Sequence, residues 1–222
     1  MEPTTIIMLV VIFVLIYMIY YYYLSSPSML LSNVASARQM TTYSSDKLDN
    51  KNSQNFSYSV WFNINDWNSD YGKQKSLFKR GTCPQVYFAE NTNDLMINVS
   101  HVSGGNSECS VKNVPIQKWV HLLISVYGKS MDTYINGKLV RTCILNDVPN
   151  IGSNEPIVLT GDGGFNGWVA RFQYWSESTD PQTAWNIYKR GNGTSIFSNL
   201  FGSYGLKVSL INNGNEQNSF TL

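Results

Sequence analysis

Carboxylates, histidines and thiols set what covalent chemistry a chain can carry, and here they are sparse. Fifteen Asp and Glu are spread over 222 residues, and no two of them stand two positions apart. Glycoside hydrolysis uses two carboxylates held close together, and alternate positions on one strand would be one way to bring them to the same side. The histidines are His101 and His121. His121 follows Trp119 by two positions inside an apolar strand pattern, where a structural role is expected rather than proton transfer. No Ser or Cys has a recognisable base beside it or a nucleophile-elbow context. The Gly-rich run Thr160 to Gly164 precedes a strand and not a helix, so it is not expected to cradle phosphate. The sequence predicts a chain that is not an enzyme, with no catalytic residue and no cofactor.

The residues suited to binding are different ones. Trp67 and Tyr71, in a polar loop over 66–75, could stack on a ligand, although such aromatics more often cap the end of a sandwich. Sixteen Lys and Arg give a net charge of +1 with no basic face, so no nucleic acid is expected. Three cysteines, Cys83, Cys109 and Cys143, cannot all pair within one chain. A Cys83–Cys109 bridge would contribute roughly 3.5 kcal/mol and needs an oxidising compartment; the odd count favours free thiols. Asn55, Asn98 and Asn192 each head an Asn-x-Ser/Thr triplet, which a cytosolic domain would leave bare.

The elements that must position these residues are strands. Trp119 to Tyr127 is apolar on both faces, Gly128 to Ser130 turns the chain, and Met131 to Ile135 follows. Asn136-Gly137 suits a type I′ turn, and Lys138 to Leu145 returns. A two-residue turn pairs Ile135 with Lys138, Tyr134 with Leu139, Thr133 with Val140 and Asp132 with Arg141. That register sends Met131, Thr133, Ile135, Val140 and Ile144 inward. Residues 56–64 alternate as an amphipathic strand. Further strands are expected at 76–79, 85–89, 94–100, 156–159 and 168–175, with Val111 to Val114 leading to Pro115. Asp180 and Pro181 start a short helix that ends at Gly191.

Outside this core lie two terminal regions. Residues 6–24 form an unbroken apolar and aromatic run of roughly 28 Å as a helix, close to the thickness of a bilayer core. Tyrosines crowd its carboxyl end, where headgroups would lie. Residues 1–24 are read as an uncleaved, single-pass transmembrane anchor, with a slight lean of the large domain to the cytosolic side. Residues 25–54 read as a polar tether with one short ordered piece near Met29 to Val34. In the extension 192–222, segments 204–211 and 216–222 flank Asn212 to Asn215 as a hairpin.

K-W-V-H-L-L-I-S-V-Y at 118–127 followed by D-T-Y-I-N-G-K-L-V at 132–140 resembles the laminin-G-like, concanavalin A-like jelly-roll family. Three further blocks fall in that family's order: F-S-Y-S-V-W-F at 56–62, S-L-F-K-R-G at 76–81 and G-F-N-G-W-V-A-R-F-Q-Y-W at 164–175. The resemblance covers 55–191 and implies an all-β antiparallel sandwich. The family's Glu-x-Asp-x-x-Glu glucanase pattern is missing. Some members bind calcium, and the resemblance makes Asp162 a weak metal candidate; a calcium site draws on several acidic ligands and Ala170 stands where the family commonly carries an acidic residue, so no metal is assigned. The layout of anchor, tether, domain and hairpin also resembles membrane-anchored virion proteins of large double-stranded DNA viruses. It implies a minor capsid protein linking an internal viral membrane to the capsid shell. Its partners would be the bilayer through 6–24 and neighbouring capsid proteins through sandwich edges and the hairpin. The alternative is a membrane-anchored lectin that binds glycans through Trp67, Tyr71, Asp162 and Asn166.

Overall fold

A computed structural model of the chain describes residues 3–19, 29–152, 154–193, 207–212 and 215–221. Helix α1 spans Pro3–Ile19. One sheet contains β1 (Met29–Leu31), β2 (Ala35–Ser36), β4 (Phe56–Ile64), β9 (Val120–Tyr127), β10 (Ser130–Ile135), β11 (Lys138–Ile144) and β13 (Gly167–Trp175). Its order is β1-β13-β4-β9-β10-β11, with β2 also paired to β13. The facing sheet contains β3 (Thr41–Tyr43), β5 (Lys75–Arg80), β6 (Gln85–Phe88), β7 (Leu95–Ser100), β8 (Asn106–Val111) and β12 (Ile157–Leu159), in the order β3-β12-β5-β6-β7-β8. Helix α2 (Pro181–Lys189) lies outside the first sheet, and β14 (Lys207–Asn212) pairs with β15 (Asn215–Thr221) as a separate hairpin.

Period-2 patterning explains the core. Phe56, Tyr58, Val60, Phe62 and Ile64 on β4 all point between the sheets and are almost wholly buried. There Tyr58 packs on Phe78, Phe172 and Tyr174 with ring centroids 5.1–6.1 Å apart. The opposite face of β4 is also covered, which the alternation alone did not indicate. Helix α2 stacks Tyr188 on Trp61 of β4 at 5.5 Å between ring centroids, and builds a second, smaller core beside it from Leu123 of β9, Tyr134 of β10, Ala184 and Ile187. The Asp180 carboxylate caps α2, accepting from the backbone N–H of Gln182 and Thr183 at 2.9 and 3.0 Å.

The central hairpin turns at Asn136 (φ 50°) and Gly137 (φ 73°), both left-handed as a type I′ turn requires. Close to the turn the register is the expected one, with Ile135 facing Lys138 and Tyr134 facing Leu139. Beyond it an extra residue on β11 shifts the pairing, so Thr133 faces Arg141 and Asp132 faces Thr142. The expected Asp132–Arg141 and Thr133–Val140 pairs are therefore corrected. Asp132 instead accepts a hydrogen bond from the Thr142 hydroxyl at 2.6 Å. A one-residue slip flips every later side chain. Val140 and Ile144, expected inside, are 46% and 75% exposed.

The same slip turns Cys143 to the inner face, opposite Met131, where it bonds to Cys109 on β8. This bridge joins the neighbouring edge strands of the two sheets. It replaces both the considered Cys83–Cys109 pairing and the favoured free thiols; Cys83 alone is free, and buried.

The amino-terminal boundaries also change. Residues 29–54 are not a tether: β1 and β2 pair with β13, β3 pairs with β12, and Ala37, Tyr43 and Leu48 enter the core. Strands this short carry too little periodicity to be recognised one at a time. Strand β8 begins at Asn106, earlier than the expected 111–114. Helix α1 has 17 residues, about 26 Å long, and no described helix is long and apolar enough to cross a membrane. Residues 1–2 and 20–24 of the expected anchor, 25–28 of the expected tether, and 204–206, 213–214 and 222 of the expected hairpin lie outside the described residues.

Candidate ligand-binding groove

Strand β4 ends at Ile64, β6 at Phe88, β8 at Val111 and β12 at Leu159, all at one end of the sandwich, and the loops that follow gather there. Asn65 donates its N–H to the Asn166 carbonyl at 2.9 Å, and Gln117 donates to the Ile64 carbonyl at 2.8 Å. Three of these loops enclose an open groove of 810 Å³. Trp67 and Ile116 give it apolar surface, and Asn68, Asn91, Asn113 and Gln117 contribute amides.

Lys75, the first residue of β5, fixes the wall that carries Trp67. Its side chain is wholly buried, and its ammonium donates to the Asp70 carbonyl at 2.8 Å and the Lys73 carbonyl at 3.4 Å. The same ammonium lies 4.1 Å from the centroid of the Trp67 ring. Burial lowers the lysine pKa, but the bonded carbonyls and the ring face remain suited to a cation. Trp67 meets Phe88 edge-on, at 6.1 Å between centroids and 89° between planes. The indole is thus held between core and groove.

The opposite wall depends on Asp94. Its carboxylate accepts from the Thr92 hydroxyl and the Lys112 ammonium, both at 2.9 Å, and from the Asn113 N–H at 3.0 Å. The bond from Lys112 is the largest of the causes that hold its pKa below the usual carboxylate range. Asn113 and Gln117 sit in the left-handed region at φ 55° and 59°. Reciprocal bonds between Asn93 and Val114 hold this segment in place.

Of the four residues singled out by sequence, Trp67 lines the groove. Tyr71 lies further along the same loop, 62% exposed. Asp162 and Asn166 sit in the loop before β13, and neither is part of the groove wall. The Asp162 carboxylate pairs with the Lys79 ammonium at 2.7 Å, and no group of three potential metal-ligating residues converges among the described residues. Asp94, Lys112, Asn113 and Gln117 escaped sequence reasoning. They come from loops distant in sequence, and no spacing marks them as one wall.

Ser59 and His121 have the separation of a nucleophile and its base, 2.8 Å between Oγ and Nε2. Both are buried under α2, and among the described residues the Nδ1 atom of His121 has no partner, so neither a substrate route nor an orienting acid completes the pair. Burial depresses the His121 pKa to about 3, which keeps the ring neutral. The unfolded chain takes up the proton first, near the ordinary value of about 6.5. The contribution of His121 is therefore complete above that pH and is lost progressively as pH falls towards 3. Between pH 6.5 and 5 the loss is expected to be about 1.5 kcal/mol. Urea unfolding across that window should show it in the wild type and not in His121→Gln.

A laminin-G-type family model, described as the concanavalin A-like lectin/glucanases superfamily, matches residues 37–185. The receptor binding domain of botulinum neurotoxin C/D mosaic serotype is similar with a TM-score of 0.56 and 16% identity, over 70% of this chain and 41% of that one. The binding domain of botulinum neurotoxin DC in complex with SialylT gives 0.54 and 17%, over 72% and 44%. The botulinum neurotoxin serotype G binding domain gives 0.52 and 15%, over 72% and 45%. The chain thus spans less than half the length of these structures, and at such identities the likeness is one of fold. Comparison with curated proteins gives no match. With two antiparallel sheets packed face to face and the family match extending over most of the sequence, the chain belongs to the concanavalin A-like lectin/glucanases superfamily.

Proposed function

We propose that this chain is a non-enzymatic, membrane-anchored binding protein whose sandwich recognises carbohydrate in the groove beside Trp67. The lining carries the reading. Side-chain amides offer donors and acceptors together, as vicinal hydroxyls require, and an indole offers a flat face to sugar C–H groups. Both acidic residues of the groove are engaged, Asp94 as above and Asp66 by accepting from the Asn68 N–H at 2.9 Å, which suits binding better than acid catalysis. The fold neighbours named as toxin binding domains, one of them in complex with SialylT, support the same reading.

For the anchor, the support is a helix apolar all round, with Val10 to Met18 between 40% and 73% exposed. The Cys109–Cys143 bridge favours an oxidising compartment for the sandwich. The test is an array of neutral and acidic oligosaccharides probed with the full chain, followed by titration of the hits. Saturable binding with no release of reducing ends is expected. Failure to bind any class, or hydrolysis of a bound one, overturns the reading.

A second reading, the minor capsid protein linking an internal viral membrane to its shell, is favoured by the open edge of β11. Among the described residues that strand pairs on one side only, with Leu139 and Val140 exposed by 49% and 46%. Purified particles that contain the protein beneath their shell, together with an array that stays blank, would put this reading first.

A further inference from the structure

The end of the sandwich away from the groove has features of its own. Strand β13 starts at the groove end, where Gly167 faces Ile64, and finishes at the far end, where Trp175 faces Ser57. Strand β1 runs antiparallel to it, with Met29 opposite Gln173 and Leu31 opposite Phe172. The chain therefore enters the sandwich from the far end. Ten residue steps separate Ile19 from Met29, so the end of α1 lies within about 36 Å of that point whatever course the chain takes.

The far end also carries the two most exposed large apolar side chains of residues 29–193, Ile144 at 75% and Tyr127 at 69%. They flank Ser130, which pairs with both, so they sit on one face across three strands. From Ile144 the chain crosses to the other sheet along this end. Leu145 donates its N–H to the Lys129 carbonyl, and Val102 donates its N–H to the Val148 carbonyl at 3.1 Å. Val102, 61% exposed, continues the rim. Between them Lys129 and Asp147 form an ion pair at 3.0 Å, so the strip is apolar with its charge compensated.

We propose that this rim, with Val102, Tyr127 and Ile144, rests on the surface of the lipid bilayer that holds α1. It rests on the anchored reading above. A tyrosine flanked by aliphatic side chains suits the headgroup boundary, and a rim without net charge suits zwitterionic lipid. The groove then faces away from the membrane, open to ligands in the surrounding solution.

The test uses the full chain with phosphatidylcholine vesicles. An environment-sensitive NBD label is attached at Ser130→Cys on the rim or at Lys73→Cys near the groove. Burial pushes the Cys83 thiol up to about 12, so it stays unlabelled. The expected result is co-flotation with vesicles, a blue-shifted emission at 130, and several-fold stronger quenching there than at 73 by a headgroup-labelled quencher lipid. Adding Tyr127→Ser and Ile144→Ser should abolish the shift. Co-flotation with both labels in water, or a shift that survives the two serines, overturns the rim and leaves the anchor standing. A chain that does not float overturns both.

Discussion

Cys143→Ser is expected to lower the unfolding free energy by about 4 kcal/mol. The bridge to Cys109 closes a separation of 34 residues, and chain-entropy arithmetic for a loop of that size gives that figure. The location adds to the expectation. Strands β8 and β11 are the outermost strands of their sheets on the same side, so among the described residues no further strand beyond them holds the two layers together. Denaturant unfolding of the wild type in dithiothreitol should match the variant without it. The same experiment on Cys83→Ala should retain its sensitivity to reductant, because Cys83 takes no part in the bridge. Equal midpoints for wild type and Cys143→Ser would mean that the two edges are held by packing alone.

Trp67→Ala is expected to weaken oligosaccharide binding tenfold or more, about 1.4 kcal/mol or above, as for a buried aromatic anchor at the centre of a contact. Trp67 also packs against Phe88, so the alanine loosens the loop as well as removing the platform. Trp67→Phe separates these effects: it should keep the melting temperature near that of the wild type and retain intermediate affinity. Lys75→Met tests the support from beneath, since it retains the stem and removes the ammonium that binds the Asp70 and Lys73 carbonyls. Its affinity should fall with no change at the far end of the sandwich, read as unchanged amide exchange at Val126, opposite Phe56. Full affinity in Trp67→Ala would move the binding site out of this groove.

Both effects depend on features of unequal legibility in sequence. The inner row of β4, the Asn136-Gly137 turn and the Asp180 cap follow from local rules, since a two-residue alternation, a left-handed pair and a carboxylate before proline each act over a few residues. Trp67 could be suspected from its loop position. The remaining groove wall could not, because Asp94 meets Lys112 and Gln117 only when two separate loops converge. Asp162, suspected with Trp67 as a ligand-binding residue, instead pairs with Lys79 on a neighbouring strand.

The amino-acid sequence by itself determined the strands with sustained alternation, the helix cap, the tight turn and an apolar amino-terminal helix. Each is set by interactions between residues close along the chain. Only the tertiary structure decided the extra residue in β11, the partner of Cys143, the strands within 29–54 and the covering of the outer face by α2. These depend on contacts between distant segments: a shift of one residue reverses which side of β11 is buried, and a three-residue strand gains its stability from the sheet it joins.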